Sequence, residues 1–142
     1  MVNLNGTEII NDFELLEKKS YQTVNKKFQS VEFRNKKKIL IGKNSVIDPF
    51  VFLDASGGPI VIGSNVRIMS HSYLQGPAFI GDDSIIKKGA AIYHNTSIGE
   101  HCKIGGEVES SIISSYSNKQ HEGFLGHSYL GSWINIGADT NN

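Results

Sequence analysis

Three regularities predict an all-β protein, a left-handed parallel β-helix entered through a short N-terminal helix and linker. Ile62, Ile68, Leu74, Ile80, Ile86, Ile92, Ile98 and Ile104 lie six residues apart. Four positions after each comes a small or β-branched residue: Val66, Ser72, Ala78, Ser84, Ala90, Thr96, Cys102 and Val108. Gly, Asn, Asp or Ser crowd the positions two and three after the aliphatics, as at Ser64, Asn65, Asp82, Asp83 and Asn95. A six-residue period suits neither a helix nor one continuous strand, but a short strand plus a turn satisfies it. The aliphatic and the small residue then point inward, and the polar or glycine pair turns the corner, where a positive φ is tolerated. Three such faces close a triangular coil of about 18 residues, and coils stacked at ~4.8 Å form parallel sheets.

Each element follows from the local pattern. Over residues 7–17, Ile9, Phe13 and Leu16 fall at helical spacing, and Asn5 or Thr7 is the expected cap. Residues 18–38 lose that period and collect Lys18, Lys19, Lys26, Lys27 and Lys36 to Lys38, which reads as a solvated linker. The predicted boundaries are therefore 1–38 for a helix and basic linker following a preceding domain, and 39–142 for the β-helix. The same register opens at Ile41, Ile47 and Leu53 and resumes at Leu130 and Ile136. Two breaks interrupt it. Leu53 to Ile62 carries a three-residue insertion at a corner around 54–59. Ile104 to Leu130 reads as four hexads with two extra residues, the slack lying in Gly105 to Gly126. The last residues, Asp139 to Asn142, stop in mid-register, so the β-helix reads as truncated at its C-terminal end.

Composition narrows the function. Lys plus Arg and Asp plus Glu both total 14, which excludes a globally basic nucleic-acid binder. That balance conceals an asymmetry, with 8 basic and 5 acidic residues in 1–38 against 6 and 9 in 39–142. The basic stretch lacks interleaved aromatic stacking platforms, so no nucleic acid is expected. Cys102 is the single cysteine; its place in a small inward slot implies packing rather than nucleophilic attack. No signal-peptide pattern and no apolar run of ~20 residues is present, and the expected setting is cytoplasmic, with no membrane partner.

Residues 117–140 include His121, Leu125-Gly126 and Asn135-Ile136-Gly137-Ala138-Asp139-Thr140. This string resembles the catalytic coils of the acetyltransferase half of bifunctional N-acetylglucosamine-1-phosphate uridyltransferases. The longer context, from Gly105-Gly106-Glu107-Val108-Glu109 onward, resembles a branch of sugar-1-phosphate nucleotidyltransferases carrying the same β-helix. The resemblance implies acetyl-CoA as acyl donor and a hexosamine phosphate as acceptor, in nucleotide-sugar biosynthesis. It implies His121 as general base, a role suited to a side chain whose pKa lies near working pH. It also implies Asn135 as a substrate contact and a homotrimer with the site in the groove between prisms. Phe124 stands where that family has a tyrosine, and Glu107 to Ser111 is acidic where the family places phosphate-binding lysines. Lys119 or Lys103 is the cation expected to substitute, so the candidate substrate-binding residues are Asn135, Lys119 and Phe124. Asp139 replaces a family glycine.

Two other readings stand beside this one. The chain is alternatively a non-catalytic oligomerisation and regulatory half of a sugar-1-phosphate nucleotidyltransferase. The pyrophosphorylase glycine signature is absent here, so such chemistry, and any Mg it requires, would belong to a separate N-terminal domain. The minor alternative is a carbonic-anhydrase-like zinc β-helix using His101, His121 and His127, which read as corner residues; the family's ligand spacing is not reproduced, and no metal ligand is assigned. His71, His94, His101 and His127 otherwise read as solvated turn residues, and Tyr129 and Trp133 as packing or trimer contacts.

Overall fold

A computed structural model describes residues 1–16, 21, 24 and 28–142. The expected linker lysines Lys18, Lys19, Lys26 and Lys27 lie outside the described residues, whereas Lys36–Lys38 form an exposed 3-10 turn. From Glu32 onward the chain coils into three parallel sheets. The first face stacks β1 (Glu32–Arg34), β4 (Phe52–Asp54), β7 (Tyr73–Gln75), β10 (Ala91–Ile92), β13 (Glu107–Glu109) and β16 (Phe124–Gly126). The second stacks β2 (Ile39–Ile41), β5 (Ile60–Ile62), β8 (Ala78–Ile80), β11 (Thr96–Ile98), β14 (Ile112–Ile113) and β17 (Tyr129–Leu130). The third stacks β3 (Val46–Ile47), β6 (Arg67–Ile68), β9 (Ile85–Ile86), β12 (Lys103–Ile104) and β15 (Asn118–Lys119). This is the left-handed parallel β-helix that the repeat predicts.

The predicted inward aliphatics are all fully buried, from Ile62 through Ile104. Their columns follow the pairing register: Leu53, Leu74 and Ile92 on the first face, Ile62, Ile80 and Ile98 on the second, Ile68, Ile86 and Ile104 on the third. The small slots are buried too, and where they hold hydroxyls they tie one coil to the next. Ser84 Oγ donates to the Gly99 carbonyl (2.8 Å) and accepts from the Cys102 N–H (2.9 Å). Cys102 fills such a slot, and burial pushes its thiol pKa up, which keeps it neutral and unreactive.

Three expectations need correction. The first paired strand is β1, with Phe33 packed on the core, so the coil begins ahead of the boundary drawn at residue 39. The helix, α1, spans Asn5–Leu15 rather than 7–17, and Leu4 occupies its N-cap position without a side-chain bond. Asn5 does not cap because the prism claims its side chain. Its amide donates to the Asn95 carbonyl (2.7 Å) and its oxygen accepts from Ser97 Oγ (2.8 Å). Ile9 and Phe13 are buried as their spacing predicts, and Phe13 packs with Leu40 and Val61 on the second face, joined by Leu16.

The third correction concerns the slack. Val108 does not fill a small slot; it pairs with Ile92 in the aliphatic column of the first face. Ile113 pairs with Ile98, Lys119 with Ile104, Leu125 with Val108 and Leu130 with Ile113. Ile104 to Leu130 is therefore five faces, of four, five, six, six and five residues, not four hexads with two residues to spare. A Gly105-Gly106 corner makes this possible. Gly106 has φ +68°, a conformation L side chains rarely adopt, and turns the chain in fewer residues than the other corners use.

The insertion between β4 and β5 is anchored by Asp54, whose Oδ1 accepts from the Ser56 hydroxyl (2.6 Å) and N–H (3.0 Å). These bonds, the hydroxyl's first, hold the Asp54 carboxyl below the usual carboxylate range, with Arg34 at 3.5 Å assisting. A depressed folded pKa contributes stability that is present above the unfolded value of ~3.9 and lost as the pH falls through the folded one. Acid titration of thermal stability will therefore show a shallower low-pH limb in Asp54→Asn than in the parent. Superimposable limbs would refute the assignment.

Candidate active site at the shortened coil

The residues singled out from sequence lie around one edge of the prism. The chain leaves the third face at Asn118–Lys119, turns through residues 120–123 and enters the first face at Phe124. His121 is on that turn and is exposed. Asn135, also exposed, bridges to Asn118 one coil below, so it sits on the outer side of the third face beside this turn. Phe124 is half-buried on the outer side of β16 opposite Glu107, and its N–H donates to Asn141 Oδ1 (2.8 Å). The next coil caps the turn through the Asp139 N–H, which donates to the Glu122 carbonyl (2.9 Å).

Lys119 is not where a phosphate could meet it. It occupies the inward slot above Ile104 and is only 1% exposed. Its ammonium donates to the carbonyls of Gly105 (2.9 Å), His121 (3.2 Å) and Gly123 (2.6 Å). Three bonds use all the donors a lysine has. Burial pushes its pKa down, opposed by the carboxylates of Glu122 and Glu107. Lys119 is thus an interior residue; Lys103, on the outer side of β12 beneath Asn118, is an exposed cation of the third face. Sequence reasoning missed the inward lysine because a periodicity of aliphatics cannot mark a charged member. The glycine pair at 105–106 was the available signal, since an added Cβ at Gly106 would lie 2.7 Å from the Lys119 ammonium.

The remaining histidines separate. His101 is at the corner from second to third face, His121 at the corner from third to first, and His127 at the corner from first to second. The three histidines thus stand at three different edges of the prism, and the coil from Ile104 to its partner Lys119 is only 15 residues long. Among the described residues no three His, Cys, Asp or Glu side chains are grouped to hold a metal ion. His101 instead pairs with Asp83 (3.6 Å) and stacks on Tyr116, which stacks on Trp133, the rings within 12° of parallel and centred 5.0 and 4.7 Å apart. This ladder explains Trp133 as a stacking residue of its corner. His94 faces Glu109 (3.7 Å), and His71 lies against Phe50 at two left-handed corner positions. Burial and the Glu107 carboxylate together push the Tyr93 hydroxyl pKa up, which keeps the phenol neutral on the first face. No helix among the described residues is long and apolar enough to cross a membrane.

Parallel coils, inward aliphatics and left-handed polar corners define a hexapeptide-repeat β-helix, and residues 77–109 match the family model for the bacterial transferase hexapeptide (six repeats). At the level of whole sequences, the chain is similar to the bifunctional protein GlmU of several bacteria. It is 32% identical to that of Wolbachia pipientis wMel over 102 residues, which are 70% of this chain and 23% of the relative. The GlmU of Jannaschia sp. (strain CCS1) is 29% identical over 102 residues, 70% of this chain and 22% of the relative. That of Acidithiobacillus ferrooxidans (strain ATCC 53993 / BNL-5-31) is 37% identical over 81 residues, 56% and 18% respectively. The matches thus cover less than a quarter of these relatives' length.

Proposed function

We propose that this chain is the acyl-transfer module of a sugar-phosphate transferase, moving the acetyl group of acetyl-CoA to the amine of a hexosamine phosphate. The observation that carries the reading is the exposed His121 imidazole on a turn bordered by Asn135 and Phe124. An unprotonated hexosamine amine attacks the thioester carbonyl, and His121 accepts the proton the nitrogen sheds as the C–N bond forms. The tetrahedral adduct collapses with cleavage of the C–S bond. The departing thiolate takes up the proton that His121 received, giving CoA and the N-acetylated sugar. Asn135 offers an amide donor and acceptor to sugar hydroxyls, and Lys103, not Lys119, is the surface cation for the phosphate. The site lies on a convex edge, so a groove requires a second wall; a homotrimer of prisms supplies it. The GlmU likeness further supports a preceding nucleotidyltransferase domain in the natural protein, where any Mg would act.

Incubation of the protein at its natural length with acetyl-CoA and glucosamine 1-phosphate, followed by free-thiol release, tests this. Turnover in the parent that falls about 100-fold or more in His121→Ala is the expected result. A second reading, a non-catalytic oligomerisation and regulatory domain, draws on Phe124, which lacks a hydroxyl, and on the acidic neighbours Glu107 and Glu109. It predicts no thiol release and an unchanged His121→Ala.

A further inference from the structure

Among the described residues the principal column of each face is apolar except at one slot, and that slot holds a charge. In the third-face column Ile47, Ile68, Ile86 and Ile104 are followed by Lys119. Burying an ammonium is costly, and an apolar side chain of similar volume in the same place is commonly as stable or more so. Isoleucine fills the slot in four coils beneath, so packing does not call for a lysine. What differs at this coil is the backbone. The shortened corner at 105–106 and the turn at 120–123 direct three carbonyls at the slot, and Gly106 keeps the space open because any Cβ there would meet the ammonium and the carbonyls of His121 and Gly123 within 2.8 Å. Two of the three acceptors belong to His121 itself and to Gly123, two residues on; the third belongs to the coil below.

We propose that Lys119 is a positioning residue, an internal clamp that fixes the His121 turn to the preceding coil from inside the prism. It holds the His121 backbone by its carbonyl while the imidazole stays free at the surface. A turn carrying a proton-transfer group is the element that most needs fixing; among the described residues its other hydrogen-bonded supports are the Asp139 N–H on the Glu122 carbonyl, the Asn141 side chain and Asn142 N–H on Phe124, and one bond from β13. Glu107, whose N–H donates to the Gly123 carbonyl (3.1 Å), extends the clamp into β13. The catalytic part of this inference rests on the acetyl-transfer reading; the clamp itself does not.

Amide hydrogen exchange in Lys119→Ile and Lys119→Met tests it, with Ile86→Val as a control in the same column. Isoleucine is the native occupant of the slots below, so the first variant keeps the lumen filled. Expected is a loss of protection of about tenfold or more at Glu107, Phe124 and Asp139 in both Lys119 variants, with coils around Ile68 and Ile86 unaffected. The Ile86→Val control leaves the three reporters unchanged. In the transfer assay kcat falls while KM holds. Unchanged protection at the three reporters overturns the clamp. Failure of both variants to fold also overturns it, since Lys119 would then serve the whole prism rather than one turn. Loosened reporters together with no transfer by the parent leave the clamp standing and remove the acetyltransferase reading instead.

Discussion

Gly81→Val is expected to prevent the central coils from stacking, lowering stability by more than about 3 kcal/mol in urea unfolding. Gly81 directs its N–H at the Ile98 carbonyl (2.7 Å), one rung in a column that Gly63 (to Ile80, 2.8 Å) and Gly99 (to Ile113, 2.8 Å) continue. An added Cβ at Gly81 would lie 2.5 Å from the carbonyl carbon of Gly99 and 2.7 Å from the N–H nitrogen of Glu100. These are backbone atoms of the next coil and cannot turn aside as a side chain can. Relief requires the coils to part, which breaks the ladder on all three faces at once. Because each coil of a solenoid touches only its neighbours, a broken central junction divides the cooperative unit in two. Gly89 is the control. Its φ of +71° calls for glycine, but nothing lies within 4 Å of an added Cβ, so Gly89→Ala should cost only about 1–2 kcal/mol. Equal costs at the two positions would contradict the distinction between space and backbone conformation.

Ile92→Asp is the second large effect. Ile92 is fully buried in the first-face column between Leu74 and Val108. A carboxylate there has no donor turned toward it, because the neighbouring N–H groups are spent in the ladder, and it must remain unpaired or take up a proton. An uncompensated buried charge costs about 3–5 kcal/mol, and the lost aliphatic packing adds to that. Denaturant titration should find the variant largely unfolded at neutral pH and partly recovered near pH 4, where the carboxyl is neutral. The comparison with Lys119 is instructive: at that slot the corners at 105–106 and 120–123 direct three carbonyls inward. Ile92→Asp with parent-like stability would contradict that account of the interior.

Most of the prism could be read in advance because its rule is local. One aliphatic every six residues, with small and polar residues at fixed offsets, states both the strand and the corner. Phe33 broke the pattern by filling an inward slot with an aromatic outside the register, which hid the first strand. Asn5 broke it differently. A good capping residue was claimed by Asn95 and Ser97, ninety residues away, a contact no local signal carries. At Gly105 to Gly126 the corner length itself changes, and with it the phase of every later residue. Val108 thereby moves from a small slot to an aliphatic one, and Lys119 moves from the surface to the lumen. His121 and Asn135 could be named from the string they stand in. Their shared edge, and the lysine beneath it, required the register that only the pairing reveals.

The most direct test of the proposed chemistry is the pH dependence of kcat/KM for acetyl transfer by the protein at its natural length. With His121 as base, the rate rises with pH through a single ionisation, and His121→Gln removes both the rate and that limb. A His121→Gln variant that keeps the parent's rate and pH profile would contradict the assignment of His121 and with it the account of this turn as the active site.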